Sequence, residues 1–166
     1  MTREEATAFY RKHYRRVFNI CLRIVGDSAD AEEIMQDTLL KYIADGPAGL
    51  SEQQTEAWLA RTAIRKSLDV LRARKRSNLF KEELRAEQEE PAGTEEVSVE
   101  SLTPEAVAGA IKALGEPYNI VLGLVLIEGL DYEEVSACTG QKQTTIRSSY
   151  SRGLAKLRTM LSNKRI

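Results

Sequence analysis

Hydrophobic residues recur along most of the chain at intervals of three or four positions, the spacing of one face of an α-helix. In the N-terminal half this spacing predicts helices over about 4–25, 29–44 and 56–76, with room for the last to run further. The stretch 45–55, DGPAGLSEQQT, contains two glycines and a proline and is predicted as a loop. No stretch competes for a strand assignment, so the pattern predicts an all-α fold.

The apolar positions also predict which side of each helix faces a core. The first helix is expected to bury Tyr10, Tyr14, Val17, Phe18, Cys21, Leu22 and Val25. The second is expected to bury Ala31, Ile34, Met35, Thr38, Leu39, Tyr42 and Ile43. The third supplies Trp58, Leu59, Ala63, Ile64, Leu68 and Leu71. Gly26 should end the first helix, and Asp27 or Ser28 should cap the second.

Four further helices are predicted in the C-terminal part of the chain. Thr103 is placed to cap the first, Pro104 occupies its first position, and Gly115 stops it. The second should start at Pro117 and end at Gly129. Its apolar positions are Tyr118, Val121, Leu122, Val125 and Leu126.

The stretch 131–158 predicts two helices joined by the polar break Thr139-Gly140-Gln141, with Asp131 as the first cap. The second of these helices carries an apolar stripe formed by Ile146, Tyr150, Leu154, Leu157 and Leu161. The residues that fall off this stripe and point outward are Arg147, Ser148, Ser151 and Arg152. This arrangement is typical of a DNA-binding helix-turn-helix. It also fits an ordinary helical hairpin whose charges are merely solvated.

Charge is distributed unevenly along the chain. The net charge of −1 conceals an acidic segment, residues 82–101, between two mildly basic flanks. That segment contains Pro91 and Gly93 and little to bury, so it is predicted to be a flexible linker. The expected organisation is therefore two small helical domains, residues 1–81 and 102–166, joined by the acidic linker.

Basic residues recur along the predicted third helix, namely Arg61, Arg65, Lys66 and Arg72, and it ends on Arg74-Lys75-Arg76. A basic C-terminal end complements the dipole of its own helix. Positive charges that recur along the whole length are more typical of a face that binds nucleic acid.

Composition excludes several classes of protein. No apolar run reaches the roughly 18 residues of a membrane span, and the charged N-terminus does not resemble a secretion signal. The two cysteines, Cys21 and Cys138, fit buried small hydrophobes in a reducing cytoplasm. With the single histidine His13, no glycine-rich phosphate loop and no nucleophile–histidine pair, we expect no metal, no cofactor, no small-molecule substrate and no catalytic residue.

Three stretches resemble a known family. They are GDSADAEEIMQDTLLKY (residues 26–42), AWLARTAIRKSLDVLRARKR (57–76) and ALGEPYNIVLGLVLIEGLDYEEVSACTG with TIRSSYSRGLAKLR, in the segment from 113 to 158. In this order and at this spacing they are similar to bacterial RNA polymerase sigma factors of the small extracytoplasmic-function (ECF) group. The resemblance covers about residues 8–81 and 102–161. It implies two helical domains, called region 2 and region 4, in a factor that directs transcription initiation.

The resemblance implies that the second helix docks on core RNA polymerase. In the family this segment binds the clamp helices of the beta-prime subunit, and the beta subunit is a further contact. The residues expected to dock are Asp30, Glu33, Gln36, Asp37 and Lys41. Without the family match, the same residues are a solvated helix face.

The loop 45–55 and the start of the third helix correspond to the family's reader of the minus-10 element, where a base is held out of the stack. The residues expected to support that strand are Trp58, Arg61, Arg65 and Lys66. Trp58 fits a place in the core equally well. Family members often have Asn where Arg65 stands, so Arg65 fits a phosphate contact better than a wedge.

The last helix is expected to enter the major groove of the minus-35 element. The residues expected to contact it are Lys142, Gln143, Thr144, Arg147, Ser148, Ser151 and Arg152. Arg147 and Arg152 can each pair with a guanine, and the helix start favours phosphate. The family often has a basic residue where Ser149 stands and Gly where Thr144 stands, which suggests weaker backbone attraction here.

The resemblance also implies partners and a location. These are core polymerase, promoter DNA and an anti-sigma factor, in the cytoplasm and without insertion into a membrane. The linker threads toward the RNA path of polymerase in the family, although a solvated tether fits its composition as well. The alternative function is a helix-turn-helix regulator that binds an operator without joining polymerase. This alternative does not explain the acidic second helix or the basic third helix.

Overall fold

The computed structural model describes residues 1–84 and 103–163, and the chain divides into two compact units, residues 1–86 and 87–166. The helices of the first unit are α1 (Arg3–Val25), α2 (Ser28–Asp45) and α3 (Glu52–Leu84). The helices of the second unit are α4 (Pro104–Ala113), α5 (Tyr118–Leu122), α6 (Tyr132–Thr139) and α7 (Gln143–Asn163), with a π-helical segment, Gly123–Ile127, after α5. The two described ranges contain no β-strand, which confirms the all-α prediction.

Short polar and glycine signals set the ends of the first two helices. The Thr2 hydroxyl accepts from the Glu5 N–H, and the Glu5 carboxylate accepts from the Thr2 N–H, which closes a capping box on α1. Gly26 ends α1 with a left-handed φ of 72°, a conformation that glycine adopts without steric cost. Asp27 then caps α2 by accepting from the Asp30 N–H at 2.9 Å.

The core of the first unit lies between all three helices. Its buried apolar residues are Val17, Ile20, Cys21, Val25, Ala31, Ile34, Met35, Leu39, Leu59, Ala60, Ala63, Ile64 and Leu68. One part of the predicted face of α1 is wrong. Tyr14 is 37% exposed, whereas His13 and Ile20 are buried. Because α1 packs against both α2 and α3, its buried arc is broader than the predicted stripe and is rotated away from Tyr14.

The third helix begins four residues earlier than predicted. Ser51 and Gln54 form a second reciprocal cap, in which the Ser51 N–H donates to Gln54 Oε1 and the Gln54 N–H donates to Ser51 Oγ. The loop between α2 and α3 is therefore only residues 46–51. At its other end α3 continues to Leu84, into the segment predicted as a linker; the rest of that segment lies outside the described residues.

The second unit packs α7 across α4 and α5. Thr103 caps α4 with Pro104 in the first turn, as predicted. The core contains Ala110, Ile111, Leu122 and Leu157, with Val107, Leu114, Tyr150, Leu154 and Leu161 packed against them. A Cβ on Gly153 would lie 3.1 Å from the Tyr118 Cβ and 3.2 Å from a Leu122 methyl. Gly153 therefore allows the close approach of α7 to α5.

The helix predicted over 117–129 is interrupted. After α5, Gly123–Ile127 forms a π-helical turn in which the Glu128 N–H donates to the Gly123 carbonyl at 3.1 Å. A π turn contains more residues than an α turn, so the side chains that follow it point in a different direction from those of a regular α-helix. Leu124 is consequently buried, while Leu126, placed on the apolar face by the sequence, is 45% exposed.

Both cysteines are buried thiols, Cys21 in the first unit and Cys138 in the second, which confirms their predicted role as small hydrophobes. Burial raises the pKa of the Cys21 thiol, so this side chain is kept in its neutral form. Among the helices in the described ranges, none is both long enough and apolar enough to cross a bilayer.

Candidate nucleic-acid and protein interfaces

The predicted docking residues of α2 lie along its outer side. Ala31, Ile34, Met35, Thr38 and Leu39 are buried on the opposite side. The predicted residues Glu33, Gln36, Asp37 and Lys41 are exposed, and Asp30 is half-buried. The structure thus leaves a mostly acidic, accessible face that a basic partner could cover.

Two of these acidic residues are already in contact with α3. Arg74 Nη2 pairs with Asp30, and Arg74 Nη1 donates to the Val25 carbonyl at 2.7 Å. Arg74 therefore joins the end of α1, the start of α2 and α3. Lys66 Nζ lies 3.9 Å from the Asp37 carboxylate, which brings a predicted minus-10 residue beside a predicted docking residue.

Sequence reasoning missed Leu40, which is 56% exposed at the centre of the α2 face, one turn from Gln36 and close to Asp37. A partner docked on this face would cover the Leu40 side chain together with its charged neighbours. The sequence did contain a signal for Leu40, because it is an apolar residue that lies outside the apolar stripe containing Leu39.

The loop 46–51 and the first turns of α3 are built on an aromatic row. The rings of His13 and Phe9 are 4.6 Å apart, Phe9 stacks on Tyr42 at 4.8 Å, and Tyr42 meets the edge of Trp58 at 5.2 Å. Trp58 is half-buried at the end of this row. The sequence allows two roles for Trp58, a contact with the DNA strand and a place in the core. The structure favours packing, because the ring supports the loop, and part of the ring stays accessible.

The basic residues of α3 that were predicted to contact DNA differ in how exposed they are. Arg61 and Arg65 are exposed, one turn apart, while Lys66 is half-buried next to Asp37. Near the start of α3, Lys12 pairs with Glu52, and Arg16 pairs with Glu56 at 3.0 Å. Arg61 and Arg65 therefore present accessible positive charge about one and two turns beyond Trp58. Farther along α3, the exposed basic residues include Arg72, Lys75 and Arg76.

Contacts at the start of α6 and in the turn between α6 and α7 hold this helix pair. The Asp131 carboxylate accepts from the Glu134 N–H at 2.8 Å, Ser136 Oγ donates to the Gln141 carbonyl at 2.6 Å, and Gly140 is left-handed with a φ of 74°. Val135 and Ile146 are fully buried behind the turn. These contacts fix α7 relative to α6, as a helix-turn-helix requires.

All seven predicted minus-35 residues are exposed at the start and in the first half of α7. The Arg147 guanidinium lies 5.6 Å from the centre of the Tyr132 ring, which also meets Tyr150 edge-on at 5.7 Å. Arg147 is thus partly positioned by α6. Ser149, by contrast, is buried and faces inward.

Comparison with known proteins finds a family match within the first unit and relatives along most of the chain. Residues 9–77 match the family model described as sigma-70 region 2. The ECF RNA polymerase sigma factor SigE of Mycolicibacterium smegmatis is 29% identical over 154 residues, which are 92% of this chain and 60% of that protein. The chain thus spans less than two thirds of the length of SigE. RNA polymerase sigma factor SigZ of Bacillus subtilis is 27% identical over 139 residues, covering 82% of this chain and 76% of SigZ.

A solved structure is similar in fold. The sigma factor RpoE of Bartonella quintana, determined in complex with the anti-sigma factor NepR, aligns with a TM-score of 0.63 and 21% identity. The alignment covers 98% of this chain and 99% of that chain. This chain and RpoE therefore share a helical fold.

Proposed function

Because residues 9–77 match sigma-70 region 2 and the curated relatives are RNA polymerase sigma factors, we propose that the chain is a sigma factor of the ECF group. In this role it binds core polymerase and directs it to promoters through DNA contacts from both units. The observation that carries the proposal is the accessible polar and basic face of α7 behind a rigid turn, with Arg147, Ser148, Ser151 and Arg152 all exposed. It supports reading of a major groove.

In this proposal the first unit has two tasks. The α2 face formed by Asp30, Glu33, Gln36, Asp37 and Lys41 docks on the clamp helices of the beta-prime subunit. The loop 46–51 and α3, with Trp58, Arg61, Arg65 and Lys66, hold the opened minus-10 strand. The exposed residues of α2 are mostly acidic, and those proposed on α3 are basic. These charges support the division, because each face has the charge opposite to that of its proposed partner.

In the second unit, α7 reads the minus-35 element. Lys142, Gln143 and Thr144 lie at its start, where backbone N–H groups and a positive side chain favour phosphate. Arg147 and Arg152 are placed to read bases, with Ser148 and Ser151 beside them. The functional division into residues 1–81, an acidic linker over 82–101 and residues 102–166 is part of the same proposal.

The chemistry of RNA synthesis would belong to polymerase, and this chain would act with it in the cytoplasm as a non-enzymatic factor. An anti-sigma factor is a further partner that we propose by family. It would keep the factor inactive by covering the faces that bind polymerase and DNA.

Transcription in vitro tests the proposal directly. The purified chain is added to core polymerase and fragmented genomic DNA, and the 5′ ends of the transcripts are sequenced. We expect new starts that share two sequence motifs at a fixed spacing. DNA binding by the free chain without any new start would instead support the operator-binding regulator and would remove the docking role of α2.

A further inference from the structure

Both ends of the loop 46–51 rest on one residue, Tyr42, in the last turn of α2. At the far end of the loop, the Tyr42 hydroxyl shares a hydrogen bond of 3.1 Å with Thr55 Oγ1 in the first turn of α3. Thr55 is buried, and its N–H donates to the Ser51 carbonyl at 2.9 Å. The Tyr42 hydroxyl therefore holds the first turn of α3, which directly follows the loop.

At the near end, Gly46 lies directly against Tyr42. A Cβ on Gly46 would be 2.4 Å from the Tyr42 carbonyl oxygen and 2.8 Å from the Tyr42 ring. The backbone of Gly46 is extended, with φ −62° and ψ 150°, which any residue can adopt. Glycine is needed here because of the close approach, which presses the start of the loop onto the ring.

Tyr42 itself is held in place from two sides. Its ring stacks on Phe9 of α1 with an interplanar angle of 6° and meets Trp58 of α3 at 65°. Aromatic pairs in these geometries resist rotation of either ring. The loop is thus tied to a side chain that all three helices of the unit fix.

We propose that Tyr42 is a positioning residue for recognition of the minus-10 element. It holds both ends of the loop 46–51 in the shape that accepts an unpaired base, and it does so without touching the DNA. The proposal rests on the function proposed above for this loop. Its physical basis is that a pocket already in its bound shape loses less conformational entropy when the base enters.

The hydroxyl pair allows a test with small changes. Tyr42→Phe removes one hydroxyl and keeps the ring, and Thr55→Val removes the other and keeps the shape. Thr55→Ser keeps the hydroxyl and is the matched control. Each variant of the full chain is assembled with core polymerase on the promoter mapped by transcription. Strand opening at the minus-10 element, affinity for core and thermal unfolding are then measured.

We expect Tyr42→Phe and Thr55→Val each to reduce the equilibrium for strand opening about two- to tenfold, the range that one lost hydrogen bond gives. Affinity for core should not change. Thr55→Ser should open DNA like the original chain, and the double variant should be no worse than the more affected single variant, because both remove the same bond.

Two results overturn the positioning role. One is normal opening by folded Tyr42→Phe and Thr55→Val. The other is an equal loss of opening and of core affinity in Tyr42→Phe, Thr55→Val and the double variant, which marks a general loss of stability. If the unaltered chain does not initiate transcription with core at all, the proposed function itself fails, and that result is separate from either of the others.

Discussion

Burial and close contacts change the pKa values of individual side chains in this chain and the substitutions that its residues tolerate. His13 is buried on the inner side of α1. Burial, with Lys12 as the next cause, lowers the pKa of His13 below its usual value of 6.5. The folded state therefore binds the His13 proton less readily than the unfolded chain does.

This shift predicts a pH-dependent stability. Above pH 6.5 His13 is neutral in both states and costs nothing. As pH falls from 6.5 through the lower folded pKa, the unfolded state takes up the proton first, so stability decreases. The pKa values of Glu5 and Glu52 are lowered by Thr2 and Lys12 respectively, and their stabilisation is lost only below about pH 4.5.

Urea unfolding followed between pH 7 and pH 5 measures the effect, because His13 is the single histidine of the chain. We expect the free energy of unfolding of the first unit to fall across this window. His13→Gln, which does not titrate, should show a flatter profile. A profile of equal slope in the variant would exclude His13 as the origin.

Gly46 supplies a second test at the scale of one residue. Gly46→Ala places a methyl group 2.4 Å from the Tyr42 carbonyl oxygen, so we expect a loss of about 1–3 kcal/mol in stability, as for other overpacked sites. Gly123→Ala is the control. Gly123 is right-handed helical, with open space around its Cβ position, so alanine there should be neutral or stabilise by about 0.4–1 kcal/mol. Equal effects in the two variants, measured by urea unfolding, would contradict the clash.

At the scale of the element, α2 separates a buried apolar side from an exposed acidic side. The exposed side pairs with α3 through Asp30–Arg74 and Asp37–Lys66. The Asp37–Lys66 pair is long and its carboxylate is exposed, so it contributes roughly 0–1 kcal/mol. The Asp30–Arg74 pair is half-buried. A cationic partner can therefore replace Lys66 as the neighbour of Asp37 at small cost.

Asp37→Arg should reduce the affinity for core polymerase and leave the helical circular dichroism signal unchanged. The reason is that the variant places positive charge in the middle of a face proposed to meet a basic partner. Glu4→Arg makes the same change in net charge on α1, outside that face, and should bind core normally. Normal affinity in a folded Asp37→Arg protein would remove α2 from the docking surface.

Arg152→Ala should weaken minus-35 promoter binding by about 1–3 kcal/mol, the contribution of one paired contact to guanine. Affinity for core should be unchanged. Arg158→Ala, an exposed change of the same type farther along α7, is the control, and competition between promoter fragments is the measurement. Unaltered promoter selection by Arg152→Ala would show that a different face of α7 reads the DNA.

The helices were predictable from sequence wherever one periodic apolar stripe determined them, as for α2 with its Asp27 cap and for α7 with Ile146 and Leu157. The start of α3 was predicted too late because glycine and proline in the loop outweighed the Ser51–Gln54 cap. The shift in α1 and the π turn after α5 depend on packing between helices, which a single helical period does not encode. The anchoring of the loop by Tyr42, Gly46 and Thr55 depends likewise on tertiary contacts.

For DNA binding by the whole molecule, the positions of the charged residues matter more than the net charge. The net charge of −1 gives no overall attraction to DNA, so binding must come from local basic faces. The second unit offers a direct comparison, because Lys142 lies just before α7 and Lys112 lies on α4, and both are exposed. Their replacement changes the net charge by the same amount.

We expect Lys142→Ala to weaken promoter binding about equally for all sequences and to reduce the slope of log affinity against log salt by about one, because one phosphate contact is lost. Lys112→Ala should leave both quantities unchanged. The measurement is a salt titration of promoter binding by the polymerase complex of each variant. An equal change in both variants would mean that the total charge governs binding, whereas a change confined to Lys142→Ala places the phosphate contact at the start of α7.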